Sequence, residues 1–92
     1  MLKLFKIEGS SLHPILKEGE VILCLKIYSF SNIKINDIVV FSHKTEGLMI
    51  KRVTNISSDS YYVQGESPYS IDSRNFGKLK KSQLLYKKIL TF

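Results

Sequence analysis

The chain has 92 residues, 43% of them hydrophobic and 24% charged, and a formal net charge of +6. That length fits one domain, read as residues 1–92, and the composition excludes a disordered or fibrous chain. No stretch approaches the ~20 consecutive apolar residues of a spanning helix. The lysine-interrupted start Met1-Leu2-Lys3-Leu4-Phe5-Lys6-Ile7 does not read as a secretory signal, so the expectation is a cytoplasmic, soluble protein, peripheral to a membrane at most.

In chain order, the first element is an apolar run with interleaved lysines, residues 2–7, which reads as a strand. Pro14 opens a short stretch, residues 14–18, with the makings of one helical turn, since proline suits a first helical position. Residues 21–27 form a nearly continuous apolar strand that contains Cys24, the one cysteine. A lone cysteine forms no internal disulfide, which fits a reducing compartment, and within an apolar run it behaves as a small hydrophobe rather than a nucleophile. The β-branched run 37–41 and the alternating run 48–56 predict two more strands. Ser57-Ser58-Asp59-Ser60 reads as a hairpin turn into a strand at 61–64, and residues 84–92 close the series. Strands and turns at this spacing predict a mostly β fold, a small curled sheet or barrel-like unit. Lys78, Lys80, Lys81, Lys87 and Lys88 crowd an acid-free segment, read as a solvated, solubilising face.

Three segments hold the residues with chemical potential. The first is Gly9-Ser10-Ser11-Leu12-His13-Pro14-Ile15-Leu16. The second is Ile50-Lys51-Arg52-Val53, and the third runs Gly65-Glu66-Ser67-Pro68-Tyr69-Ser70-Ile71-Asp72-Ser73-Arg74-Asn75-Phe76-Gly77. A serine hydroxyl needs an adjacent base to attack a carbonyl. A lysine at its ordinary pKa of ~10.4 is protonated and cannot serve, but burial can lower it by up to ~3–5 units. Strand alternation places Met49, Lys51 and Val53 on one face, which gives Lys51 apolar neighbours. Arg52 cannot replace it, because guanidinium stays charged. Two separated histidines, His13 and His43, come with no acid placed for a triad, and no ligand cluster suggests a metal.

In order and nearly end to end, these segments resemble the boxes of the type I signal peptidase and LexA-like superfamily of serine–lysine peptidases. The first is similar to its Gly-x-Ser-Met-x-Pro-x-Leu box, with Leu12 in the methionine position. The second is similar to its Lys-Arg strand, and the third to its Ser-x-Asp-Ser-Arg-x-x-Gly box. The resemblance implies Ser11 as nucleophile, Lys51 as general base, and Gly9 and Ser10 as supporting neighbours. It also implies that Ser70 bonds the lysine amine, that Asp72 and Arg74 form a supporting ion pair, and that Gly65 makes a tight turn. Glu66-Ser67 stands where the family has Asp-Asn. Gly9 stands where many signal peptidases have a serine, which leaves the oxyanion hole to backbone N–H groups, that of Ser11 included.

The implied function is limited proteolysis of a precursor polypeptide, with no cofactor and no nucleic acid. The overall pattern looks most like the small proteases that mature nickel-type superoxide dismutases. Two alternatives are a LexA-like self-cleaving switch and a non-enzymatic basic β-module that binds nucleic acid through its lysines and Tyr61, Tyr62 and Tyr69. The switch needs a cleavable segment ahead of the nucleophile, and only ten residues precede Ser11.

Overall fold

The computed structural model describes residues 1–92 and is built on one antiparallel sheet. Its strands are β1 (Leu2–Lys6), β2 (Val21–Lys26), β3 (Ile38–His43), β4 (Gly47–Ser57), β5 (Ser60–Gln64), β6 (Leu79–Lys80) and β7 (Leu84–Thr91). They lie in the order β1-β2-β7-β3-β4-β5-β6, so the sheet is open, with β1 and β6 at its edges. The mostly β, curled-sheet expectation is borne out.

Register shifts interrupt β2–β7 at Leu23/Cys24, β3–β7 at Val40/Phe41 and β4–β5 at Val53/Asn55. Bulges of this kind sharpen the local twist, and they account for the curl.

β3 is apolar on both faces because both are covered. Val39 and Phe41 enter a cluster with Ile27, Ile33, Val53, Val63 and Leu84. Ile38 and Val40 enter a second one with Ile7, Leu12, Leu16, Ile22 and Cys24. Each cluster is thin, as the length of the chain requires. Cys24 is fully buried, and burial pushes its thiol up to about 11 against the opposing charge of Lys88. It behaves as a core hydrophobe.

The 57–60 turn forms as expected, with Ser57 paired to Ser60 and Ser58 at a φ of 56°. Residues 14–18 do not form a helix. They lie in a series of turns in which one α-type bond, Leu16 N–H to the Leu12 carbonyl, is made. Nucleating a helix there would fix several residues for little return, while the turns already bury Leu12 and Leu16.

Three short elements escape a periodicity reading. They are β6, a single helical turn α1 (Ser73–Phe76) and a 3₁₀ turn (Lys81–Gln83). Part of the lysine-rich segment is also structural rather than a solvated face. Lys81 Nζ bonds the Ser29 and Ser31 carbonyls, and Lys87 Nζ bonds the Asn32 carbonyl at 2.9 Å and lies 3.6 Å from Asp37.

Candidate active site

Ser11 rides on a loop held shut at its base. The Ile7 N–H bonds the Glu20 carbonyl and the Gly19 N–H bonds the Ile7 carbonyl, each at 2.8 Å. Gly9 and Gly19 take φ values of +78° and +91°, a region where a side chain is strained, and both turns of the loop depend on it. Buried Leu12 and Leu16 anchor the loop in the second core cluster. Ser11 is therefore presented by a pinned excursion between β1 and β2.

Lys51 comes from the middle of β4, paired with Val39 of β3. Val53 on the same face is fully buried and Met49 is half-buried, so the lysine stem lies among apolar groups. Lys51 is only 4% exposed. Burial holds its amine below the ordinary lysine value; Asp72 pulls it back up and Arg74 pushes it further down.

Ser11 and Lys51 open into one cleft of about 260 Å³, together with Gly9, Leu12 and Ile50. The Ser11 backbone N–H takes no part in backbone hydrogen bonding, so it is free to meet an incoming oxygen. Ser10 and His13 are exposed and outside the cleft lining. His43 packs against Phe76, with ring centroids 4.9 Å apart.

The third segment braces this arrangement from behind. The Asp72 carboxylate is fully buried and accepts from the Gly65 N–H at 2.9 Å, the Ser70 hydroxyl at 3.0 Å and the Arg74 N–H at 3.0 Å. The Arg74 guanidinium adds two contacts, Nε at 2.9 Å and a terminal nitrogen at 2.6 Å. Burial pushes this carboxyl up, but the bonds from Arg74, Gly65 and Ser70 together hold it well below the usual carboxylate range. Asp72 also caps α1, with Asn75 returning the bond in a capping box.

Two expectations change here. The Ser70 hydroxyl bonds the Ser67 carbonyl at 2.9 Å and Asp72, not the Lys51 amine. The loop turns Ser70 toward the buried carboxylate, which is the stronger acceptor. Gly65 is required by space rather than by a left-handed turn. A Cβ there would lie 2.5 Å from Ser70 Oγ and 2.8 Å from the Ser11 carbonyl oxygen.

Sequence reading missed the role of Glu66. Its N–H bonds the Ser11 carbonyl, and its carboxylate bonds Arg52 Nε at 2.9 Å. Arg52 in turn reaches Asn36 Oδ1 at 2.9 Å. Glu66 thus links the Ser11 backbone to the lysine-bearing strand. It also missed Glu8 and Glu46, which line the cleft. No local pattern marks Glu46, because it reaches the site only through the β3–β4 hairpin.

The antiparallel sheet thus brings a loop serine and a buried strand lysine to the lining of one cleft. The profile of the signal peptidase family, peptidase S26, matches residues 1–59, and the chain belongs to that family. The matched residues include Ser11 and Lys51 and stop short of the Gly65–Asp72 brace. A search of curated proteins finds no match to the chain.

Proposed function

We propose that the protein is a serine endopeptidase in which Ser11 is the nucleophile and Lys51 the general base. The observation that carries this reading is the shared cleft. A serine with a free backbone N–H lies there with a lysine that burial inclines to the neutral form. A neutral amine accepts the hydroxyl proton as Ser11 Oγ attacks the scissile carbonyl, and the resulting ammonium returns a proton to the leaving amine. The Ser11 N–H faces the oxyanion, and backbone donors of this kind are worth ~3 kcal/mol each in acyl transfer. The acyl-enzyme is then released by water, activated by the same amine.

The family membership implies a polypeptide substrate. We assign it as a precursor cut within an extended, exposed segment, after a small residue such as alanine, because an extended chain matches strand geometry. We extend this to a processing role of the kind implied by the sequence's resemblance to proteases that mature nickel-type superoxide dismutases. The protein is proposed to act in the cytoplasm, with at most salt-sensitive attachment to membranes through its lysines; fractionation at low and high salt tests that.

The decisive experiment incubates candidate precursors with wild-type and Ser11→Ala protein and reads the fragments by mass spectrometry. Discrete cleavage by the wild type alone is expected. Equal cleavage by both proteins overturns the assignment.

A further inference from the structure

The cleft is less basic than the molecule as a whole, because Glu8 and Glu46 on its lining offset Lys6 and Lys51. The chain is +6 overall, with eight acidic residues. Four of these are committed within the fold. Glu20 accepts from the Lys17 N–H, Asp37 from the Lys34 N–H, Glu66 is paired with Arg52, and Asp72 with Arg74. Glu8, Glu18, Glu46 and Asp59 remain without an ion pair. Two of them, Glu8 and Glu46, line the cleft that holds Ser11.

These two carboxylates reach the cleft from separate elements. Glu8 follows the end of β1, and Glu46 lies in the β3–β4 hairpin turn. Lys6 is the one exposed cation on the same lining. Lys51, the other basic side chain on the lining, is 4% exposed. Burial also inclines it toward neutrality. Glu8 and Glu46, both exposed and without an ion pair, bring negative potential to whatever chain occupies the cleft. Their positions beside Ser11 put that potential within a few residues of the bond to be cut.

We propose that Glu8 and Glu46 form a cation-selecting subsite, so that the cleft prefers polypeptides with a lysine or arginine close to the scissile bond. This rests on the endopeptidase reading and adds a specificity to it. The two carboxylates act as specificity determinants and take no part in the bond-breaking steps.

The test walks one lysine, and in a matched set one glutamate, through the positions flanking an alanine in an extended, fluorescently labelled peptide. Wild-type protein is expected to favour lysine over glutamate at one or more positions by roughly three- to ten-fold in kcat/KM, the size of partly exposed charge pairs. The preference should shrink as salt is raised. It should fall toward unity in the Glu8→Gln/Glu46→Gln variant and invert in Glu8→Lys/Glu46→Lys. The same peptides are titrated against Ser11→Ala protein by fluorescence anisotropy, which reads the subsite without chemistry.

Cleavage with no lysine preference at any position overturns the subsite and leaves the peptidase standing. A preference that survives Glu8→Gln/Glu46→Gln overturns it as well. Selective binding of lysine peptides with no cleavage by wild type supports the subsite and removes the peptidase reading. Equal binding of both sets, or none, in the absence of cleavage overturns both.

Discussion

Lys51 carries opposite consequences for stability and for activity. Its folded pKa lies below the ordinary value of 10.5, so between the two the unfolded chain binds more protons than the folded one. Stability contributed by this residue therefore rises with pH across that window, and the cost of burying the ammonium is fully present below it. Lys51→Met keeps the stem and removes the charge. It is expected to be inactive yet more stable at neutral pH by about 1–2 kcal/mol, read from urea midpoints with unchanged m-values. If Lys51→Met is less stable, the desolvation argument fails.

Activity should climb with pH through the same depressed pKa. Lys51→Arg should be as inactive as Lys51→Ala, because arginine keeps its proton at accessible pH. His13→Ala and His43→Ala should retain most activity. Each is measured as initial cleavage rate on variants whose circular dichroism matches the wild type, and activity in Lys51→Arg would remove the lysine from its role.

Among elements, the segment from Gly65 to α1 is organised by one carboxylate. Asp72→Asn keeps the shape but weakens the bonds from Gly65, Ser70 and Arg74, at an expected cost of about 2 kcal/mol. Because the folded pKa of Asp72 is depressed, its contribution is complete above the unfolded value of 3.8 and is lost as pH falls below it. Thermal melts of the two proteins should differ at neutral pH and converge in acid; a constant difference would locate the stabilisation elsewhere.

Gly65→Ala separates structure from catalysis. Its new methyl would press on Ser70 and on the Ser11 carbonyl, so kcat should fall at least ten-fold through misplacement of Ser11, the proposed nucleophile. A variant with wild-type kcat would show that the loop yields without moving Ser11.

These elements also mark the limits of sequence reading. The strands at 2–6, 21–26, 38–43 and 47–57 were legible because apolar and β-branched residues carry their own pattern. The burial of Lys51 followed from its alternation with Met49 and Val53. The partner of Ser70, the steric demand on Gly65 and the Glu66–Arg52 pair depend on how a long loop packs against distant residues. Such contacts leave no local trace, and α1, one turn long, has no periodicity to find.

At the scale of the molecule, the strand order matters most. β7 lies between β2 and β3, and without it the sheet divides into a β1–β2 pair and a β3–β4–β5–β6 unit. The two core clusters lie on either side of β3, so the division also uncovers apolar surface. Deleting residues 84–92 should leave a chain without cooperative unfolding in urea and without activity; retention of a sharp transition would mean that the two halves hold together unaided.

That arrangement has a consequence for synthesis on the ribosome. Ser11 and Lys51 leave the exit tunnel long before β7, and the Glu66 N–H that holds the Ser11 carbonyl follows later still than either. On the proposed peptidase reading, a nascent chain that already contains both residues has no assembled cleft to cut with, because the strand that draws their two halves into one sheet has not been released. The proposed proteolytic competence is thereby withheld until β7 is free of the tunnel. A hydrolase with a pre-formed cleft near its N-terminus would have no such delay, and the polypeptides emerging beside it would have no such protection.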